Sequence, residues 1–485
     1  MNQRFIGLFS ASLVFFFANY YTSTIALSLP SIAKSYHISM HASSMVLTIY
    51  LLSWGMFVMF GGVLGDFFDK RKILVGGFVF LILASLLSCV AWGSGLLIFA
   101  NAMLGLGAGL LWPNATSILF NDQEGDKVKA MGLLTFIVAV SCIFSPFIAG
   151  VLIKISTWRT VYGVGIPFFM AAALLLCFLC YKEKISENKM VFEFKKLFLL
   201  SFLPFLGFFL YEALTHIMSL DRFFTYLALL IVTSFVFYFS QVLLKHELLN
   251  FKMFKNKAFI FPAMLYMFTM GLFVITLYLM NLFLQEILNF SPLVSSLFVV
   301  AMMSAFAFFS IIAHRISRFV NKKKLLSSCF LILFVAMLVF YYATRLELAW
   351  LLAVAILLFG SVLGLSSPIL ISSALSTVSK DKVSSASGLY FTFNLVGGAV
   401  SLPVIKAIIA SGFFKSIAKL KMSMLLRQGV LKEGLLSSQY THANVFLMKE
   451  IKMLYLLSLS KAIAVMAVAA LFICAFFTLF IKIDG

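Results

Sequence analysis

Long apolar runs are the feature of this sequence that most limits what it can fold into. A run of about twenty apolar residues is long enough to cross the hydrocarbon core of a bilayer as a single helix. Such runs recur along the whole chain and are separated by short polar segments. We therefore predict fourteen membrane spans, near residues 5–29, 43–65, 73–92, 95–119, 129–153, 160–181, 196–216, 223–244, 258–285, 293–314, 325–343, 347–375, 385–410 and 453–482.

Composition supports a membrane protein and argues against a soluble one. The 485 residues are 63% hydrophobic and 11% charged, with a mean hydropathy of +1.08, whereas soluble domains carry roughly a quarter charged residues. The net charge of +20 would suggest nucleic acid in a soluble protein, but here it indicates basic cytoplasmic loops. We expect an all-α integral membrane protein in contact with the lipid bilayer, with no nucleic-acid partner.

The basic loops predict the orientation of the chain. Every second loop is rich in lysine and arginine, notably at 70–72, 182–196, 245–257, 315–324 and 380–382. The positive-inside rule then places both termini in the cytoplasm, with the chain in the inner or plasma membrane. The long loop 411–452 is also basic and would face outside, which the rule tolerates because it applies to short loops.

An internal repeat relates the two ends of the chain. Gly105-x3-Gly109-x3-Pro113 recurs as Gly360-x3-Gly364-x3-Pro368, and Ala130-Met131-Gly132 is echoed by Ala386-Ser387-Gly388. Parallel repeats of this kind predict two similar helical bundles with a binding site between them. We predict a six-helix bundle over 1–186, two linker helices over 187–252, and a second six-helix bundle over 253–485.

Several motifs resemble those of a known family. The stretch GGVLGDFFDKRK (61–72) resembles the loop 2–3 motif of the major facilitator superfamily, and fourteen spans indicate its drug:proton antiporter branch. The resemblance implies the major facilitator fold and a secondary transporter. Segments similar to that branch's other motifs are TSTIALSLPSI (22–32), LGLGAGLLWP (104–113), SPFIAG (145–150), WRTVYGVGIP (158–167), FLQEILNFSPL (283–293) and ASGLYFTFNLVGGA (386–399).

Two positions depart from the family in a way that concerns proton coupling. The branch usually carries an aspartate in the first-helix motif, where this chain has Tyr21, and an arginine in the fourth helix, where it has Asn101. An acid and a base lost together leave no unpaired charge in the membrane. Either a neutral packing contact has replaced the pair, or coupling has moved elsewhere or vanished.

The charges after the second span predict a gate between the bundles. Asp66 ends that span on the cytoplasmic side, where an acid can meet a helix N-terminus or a base from the other bundle. We assign Asp66, Lys70 and Arg71 to gating, but the bases of Lys70–Lys72 are better explained by anchorage of the loop to anionic lipid, which leaves Asp66 as the principal gating residue. In the second copy of the motif Arg318 stands where the acid would be, so only the first copy is predicted to gate in this way.

The remaining candidates are neutral residues for the substrate, acids for the proton, and glycines and prolines for packing. Asparagine and tyrosine can hydrogen-bond a substrate without binding it as an ion, but each could equally bond neighbouring helices. The predicted substrate pathway consists of Asn19, Tyr20, Tyr21, Asn101, Asn114, Tyr390 and Asn394. The candidates for displaced proton coupling are Glu212, His216 and Glu286. The predicted helix-packing positions are Gly105, Gly109, Pro113, Pro146, Gly150, Gly360, Gly364 and Pro368.

We predict a monomeric secondary transporter that exports a small amphipathic compound by alternating access, with no cofactor beyond the proton gradient that the resemblance implies. One alternative is an exporter of an endogenous siderophore, peptide or lipid, and another is an uncoupled facilitator. A membrane-embedded enzyme acting on lipid would need acids or histidines clustered at one depth. The six histidines are scattered along the chain, which argues against an enzyme.

Overall fold

The computed structural model describes residues 3–38, 40–122, 126–178 and 256–419, with isolated positions between 225 and 235 and between 463 and 468. Within these ranges the chain is helical and contains no strand. Ten of the helical segments are long and apolar enough to cross a membrane. The chain is therefore a multi-pass membrane protein of the all-α class, as its sequence predicts.

The N-terminal half consists of seven helices that pack on one another. Helix α4 is central, with α2 on one side and α3 on the other, while α1 packs along α5. The helices are α1 (Gln3–Tyr36), α2 (Met40–Phe67), α3 (Lys70–Cys89), α4 (Ser94–Asp122), α5 (Lys127–Ile155), the short α6 (Trp158–Gly163) and α7 (Gly165–Phe178).

The C-terminal half repeats the same kind of packing with five described helices. Helix α11 packs between α9 and α10, and α8 lies along α12. The elements are α8 (Lys257–Leu282), a π-helical turn (Phe283–Ile287), α9 (Pro292–Phe319), α10 (Lys322–Leu346), α11 (Ala349–Leu375), a 3₁₀ turn (Lys380–Lys382) and α12 (Val383–Lys419).

Eleven of the predicted spans coincide with these helices, although α1 continues seven residues beyond the first predicted span and α12 continues nine residues beyond position 410. The spans predicted at 196–216, 223–244 and 453–482 fall where only isolated positions are described, so the count of fourteen stays a prediction. The predicted domain boundaries after residues 186 and 252, and most of the loop 411–452, also lie outside the described residues.

Short polar side chains explain where several helices begin. Asp69 accepts from the Arg71 N–H at the start of α3, and Asp126 accepts from the Lys129 N–H at the start of α5. Asn321 does the same for α10 through the Lys323 N–H. Side-chain oxygens at this position satisfy backbone donors that have no partner inside the helix. The turns before α3, α5 and α10 thus each end with a side chain that caps the next helix.

The repeated glycines lie where two helices touch backbone to backbone. A Cβ atom on Gly109 of α4 would lie 2.7 Å from the Phe57 Cβ on α2, and one on Gly364 of α11 would lie 2.9 Å from the Phe309 Cβ on α9. Gly105 and Gly360 meet the same two partner helices one turn away. These four glycines therefore lie at close helix contacts, and the α2–α4 and α9–α11 pairs are equivalent in the two halves.

Gly150 makes no such contact among the described residues. A Cβ atom there would meet no described atom within 4 Å, and the nearby Phe144 and Phe147 are exposed. Pro146 lies inside α5 and is half-buried. The described residues leave this side of α5 open, and the packing role of Gly150 stays a prediction.

Candidate functional site

The two halves meet most closely at one end of the bundle, which we call the charged face. Here α2, α4, α9 and α11 end and α3, α5, α10 and α12 begin. Helix α2 packs on α12, and α5 packs on α9. The side chain of Asn121 also donates to the Lys380 carbonyl across the boundary, over 3.2 Å. The described basic turns at 70–72, 315–324 and 380–382, which the sequence predicts to be cytoplasmic, lie on this face.

Asp66 joins the halves at the charged face. Its Oδ2 atom accepts from the backbone N–H of Ser385, 3.1 Å away in the first turn of α12. The N-terminus of a helix carries unpaired N–H groups and a partial positive charge, both of which favour a carboxylate. The Ser385 hydroxyl returns a long bond of 3.5 Å to the Gly62 carbonyl on α2. This is the arrangement that the sequence predicts for Asp66, an acid at a helix N-terminus of the other half.

Glycines allow α2 and α12 to approach this closely. A Cβ atom on Gly62 would lie 2.5 Å from the Ser384 carbonyl oxygen and 3.1 Å from the Gly388 Cα. A Cβ atom on Gly388 would lie 2.9 Å from the Val58 carbonyl oxygen. Backbone therefore faces backbone beneath Asp66, and the charged face is closed at this point.

The two bases assigned to gating occupy different environments. Lys70 is buried at the first residue of α3 and acts on Asp66 as a nearby positive charge. Arg71 instead donates to the Cys177 carbonyl on α7, which lies in the same half. The contact of Arg71 ties α3 to α7 and does not cross between the halves.

Arg318 makes a second ionic contact across the boundary. Its Nη2 atom lies 2.8 Å from Asp126 Oδ2, where Asp126 is the residue that starts α5. Gly132 of α5 approaches α9 in the same way that Gly388 of α12 approaches α2, with a Cβ position 2.5 Å from the Ser310 carbonyl oxygen. The second copy of the motif therefore also joins the halves, with the charges reversed, which the sequence reasoning missed.

The positions where the family carries its acid and base are linked by a neutral network. The Tyr21 hydroxyl lies 2.9 Å from Ser85 Oγ and donates to the Tyr162 carbonyl over 3.3 Å. The Tyr162 hydroxyl and the Asn101 amide exchange hydrogen bonds of 3.3 and 3.4 Å. All four side chains are buried inside the N-terminal half. Tyr162 was not singled out from sequence, although the motif WRTVYG contains it.

The other candidates on α1 and α4 lie at several depths. The Tyr20 hydroxyl donates to the Val161 carbonyl over 3.0 Å and is fully buried. Asn19 is half-buried and bonds the Phe15 carbonyl of its own helix. Asn114 is buried next to the charged face, where its Nδ2 atom donates to the Gly61 carbonyl of α2 over 2.9 Å. Their predicted part in a substrate pathway stays a prediction.

Tyr390 and Asn394 lie on α12 at the boundary between the halves. The Tyr390 ring stacks on Tyr266 of α8 with centroids 5.0 Å apart. The next residue, Phe391, packs edge-on against Trp112 of α4 at 5.4 Å. Trp112 is a residue that sequence reasoning missed, although it stands beside Pro113 in a motif already noted. Pro113 itself accepts a 3.0 Å hydrogen bond from Ser387 of α12.

Of the three candidates for displaced proton coupling, the structure describes the position of one. Glu212 and His216 lie outside the described residues. Glu286 is part of the π-helical turn Phe283–Ile287 at the end of α8. Within the described ranges every aspartate and glutamate lies at a helix end or in a turn: Asp66, Asp69, Asp122, Asp126, Glu286, Glu347 and Asp381.

Comparison with known proteins places the chain among transporters. It is 22% identical over 398 residues to the multidrug resistance protein Stp of Mycobacterium tuberculosis, covering 80% of this chain and 72% of that protein. It is 24% identical over 165 residues to the methylenomycin A resistance protein of Bacillus subtilis, a match that spans only 35% of that protein's length.

The fold is shared with solved transporter structures. The structure of the human organic anion transporter MFSD10 covers 98% of this chain with a TM-score of 0.63 at 11% identity, a likeness that concerns the fold alone. The sequence profile described as the Major Facilitator Superfamily matches residues 8–402. The profile match and the relatives named above agree with the sequence-based prediction of a transporter rather than an enzyme. The chain belongs to the Major Facilitator Superfamily.

Proposed function

We propose that this protein is a secondary active transporter that exports a small amphipathic compound by alternating access. The observation that carries the proposal is the closure of the charged face by Asp66 and Ser385 over the glycine contact of α2 with α12. A few polar contacts between two bundles can be broken when the bundles rock, which is how such transporters open one side at a time.

The charged face is the cytoplasmic side in this proposal. Its basic turns satisfy the positive-inside rule, so both termini lie in the cytoplasm and the chain in the inner or plasma membrane. The structure then corresponds to a carrier closed toward the cytoplasm. The direction of export is supported by relatives named for resistance to methylenomycin A and to multiple drugs.

The family leads us to expect proton antiport. The neutral network around Tyr21 argues against coupling through the acid and base that the family usually carries at these positions. Tyr21, Asn101 and Tyr162 hold no charge and already bond one another. Coupling would then rest on an acid elsewhere, with Glu212 and His216 as the predicted pair, or the protein would act as an uncoupled facilitator.

Inverted membrane vesicles test the proposed function. Fluorescent amphipathic compounds, one neutral, one cationic and one anionic, are added outside, and accumulation is compared with vesicles that hold the Asp66→Asn variant. We expect at least one compound to accumulate faster with the unaltered protein. Equal uptake of all three by vesicles with and without the protein would contradict a transport function.

The coupling is tested in the same vesicles by collapsing the pH gradient with a protonophore. If the compound no longer accumulates once the pH gradient is collapsed, the result supports proton antiport. If its movement is unchanged, the result supports an uncoupled facilitator. The double variant Glu212→Gln with His216→Ala should then lose its pH dependence if these residues carry the proton. A pH dependence equal to that of the unaltered protein would exclude them.

A further inference from the structure

Four buried hydrogen-bond donors at the boundary between the halves have no partner among the described residues. They are Trp54 Nε1, Trp112 Nε1, Tyr390 Oη and Asn394 Nδ2. Each side chain is at most 7% exposed. A polar group that is buried without a partner costs free energy, most of all inside a membrane. Four such groups in one region therefore need an explanation.

The four donors belong to one continuous group of side chains. Trp54 of α2 packs on Trp112 of α4 with ring centroids 5.2 Å apart, and Trp112 contacts Phe391 of α12. Tyr390 adjoins Phe391 and stacks on Tyr266, and the Tyr266 hydroxyl interacts with the side chain of Asn394. The group crosses from α2 and α4 in one half to α8 and α12 in the other.

The depth of the group separates it from the charged face. Tyr390 is the residue nearest to a helix end, seven residues after Val383, where α12 begins. Seven residues of helix correspond to about 10 Å. The unpaired atoms at the ends of α2 and α4, by contrast, include acceptors on Asp66 and Asn121. The deeper set is made of N–H and O–H groups.

Other tyrosines in the bundle show that this lack of partners is local. The hydroxyl of Tyr50 donates to the Ala18 carbonyl over 2.7 Å, and that of Tyr20 donates to the Val161 carbonyl. Both residues are as deeply buried as Tyr390. These two tyrosine hydroxyls of the N-terminal half are thus paired, whereas the equally buried hydroxyl of Tyr390 at the boundary is not paired with any described residue.

The chemistry of these donors defines the ligand they suit. Indole and carboxamide N–H groups can only donate, so their partner has to be an acceptor such as a carbonyl or ether oxygen. The four side chains are uncharged, and an ion buried beside them would lose its hydration without a counter-charge from them. The donors are surrounded by aromatic rings, among them the stacked pair of Tyr266 and Tyr390 with an interplanar angle of 23°, and such surroundings favour a flat aromatic ligand.

We propose that Trp54, Trp112, Tyr390 and Asn394 form a recognition site for an uncharged, flat aromatic compound that carries carbonyl or ether oxygens. This inference rests on the proposed transport function and names its substrate class. The site joins both halves, so a bound compound contacts elements that separate when the carrier changes state. Cationic compounds are disfavoured because the described acids lie at helix ends and in turns.

A matched set of three-ring probes tests the proposal on the full chain in lipid nanodiscs. Anthraquinone is neutral with two carbonyl acceptors, anthracene has the same shape without acceptors, and N-methylacridinium is a cation without acceptors. Binding of each radiolabelled probe is measured against empty nanodiscs. We expect anthraquinone to bind at least about ten-fold tighter than the other two, as two added hydrogen bonds imply. Equal binding of anthracene, or tightest binding of the cation, would overturn the proposal.

Variants that remove one donor and keep the ring localise the effect. Trp54→Phe, Trp112→Phe and Tyr390→Phe should each weaken anthraquinone binding about three- to ten-fold and leave anthracene unchanged. Matched controls are Tyr50→Phe, whose hydroxyl is already bonded, and Trp92→Phe, which is 82% exposed. Controls that weaken anthraquinone binding as much as the site variants do would overturn the assignment.

Thermal unfolding supplies an independent readout. Tyr390→Phe removes an unpaired hydroxyl and should leave the unfolding midpoint unchanged or raise it, whereas Tyr50→Phe breaks a hydrogen bond and should lower it. A Tyr390→Phe variant destabilised as much as Tyr50→Phe would show that the hydroxyl has a protein partner. None of these measurements needs a gradient or turnover. A negative result in the vesicle transport assay would therefore leave the binding site intact as a proposal, and a negative binding result would leave the transport function intact.

Discussion

Arg318 binds Asp126 across the boundary between the halves at 2.8 Å, and the same aspartate caps the helix that follows it. The equivalent contact of the first half pairs Asp66 with the N-terminus of α12. In the first contact, an acid on α2 binds the N-terminus of α12. In the second, a base on α9 binds the acid that caps the N-terminus of α5. The two halves thus close the charged face with opposite assignments of charge.

The first prediction concerns Asp66→Asn. Loss of the negative charge removes the favourable interaction with the N-terminus of α12, about 1–2 kcal/mol for a partly buried acid. The closed state should lose population by about five- to thirty-fold, and transport should slow while expression stays normal. Vesicle uptake measures the rate. Asp69→Asn is the matched control because asparagine caps α3 as well as aspartate does. An equally large loss of transport in the control, or full transport activity of Asp66→Asn, would contradict the gating role of Asp66.

The second prediction separates the charge of Asp126 from its capping role. Asp126→Asn keeps an N-cap acceptor but removes the ion pair, and Arg318→Gln removes the partner. Because Arg318 is 66% exposed, a double-variant cycle should give a coupling of only about 0.2–1 kcal/mol. Unfolding in detergent measures it. Arg315→Gln, on the same helix and exposed, should show no coupling to Asp126, and strictly additive effects of the first pair would disprove the contact.

The third prediction concerns the repeated glycines. Gly109→Ala and Gly364→Ala place a methyl group within 3 Å of the partner helix, and overpacking of this kind costs about 1–3 kcal/mol. Both variants should unfold at lower temperature and by similar amounts. Gly76→Ala on α3 meets nothing within 4 Å of the described residues and should be neutral. A Gly109 variant as stable as the Gly76 variant would refute the close contact.

The fourth prediction concerns the neutral network. Tyr21→Phe loses the bonds to Ser85 and to the Tyr162 carbonyl and should destabilise the protein by about 1 kcal/mol. Tyr21→Asp buries a charge opposite Asn101, where no base is present, and should cost about 3–5 kcal/mol. Thermal unfolding at pH 8 compares the two. If Tyr21→Asp were no less stable than Tyr21→Phe, the site would be able to hold an unpaired acid, and the neutral network would not be required.

The sequence predicts much of this fold because steric and hydrophobic patterns are local. Runs of apolar residues locate the described helices, and spacings such as Gly105-x3-Gly109 identify surfaces where helices touch. Asp66 could be placed at the boundary because a lone acid at the end of a membrane helix needs a donor. These inferences require the residue and its immediate neighbours only.

Contacts between distant helices could not be predicted in this way. The packing of Trp112 on Phe391 depends on how α4 and α12 rotate about their axes, which no short pattern encodes. Arg318 was not predicted to join the halves because it occupies the position where the motif would carry an acid. Its partner, Asp126, lies in the other half and far away in sequence. Tyr162 links Tyr21 to Asn101 by hydrogen bonds that become evident only once α1, α4 and α6 are assembled.

The Arg318–Asp126 contact is more exposed than the Asp66–Ser385 contact. We therefore expect ionic strength to weaken the first of these two contacts more than the second. Arg318 lies largely in solvent, so physiological salt, with a screening length of about 8 Å, weakens its attraction to Asp126. The bond from Ser385 to Asp66 sits over touching backbones and is screened much less. Rising salt on the charged face would therefore loosen the α5–α9 contact before the α2–α12 contact, so that opening begins on one side of the boundary.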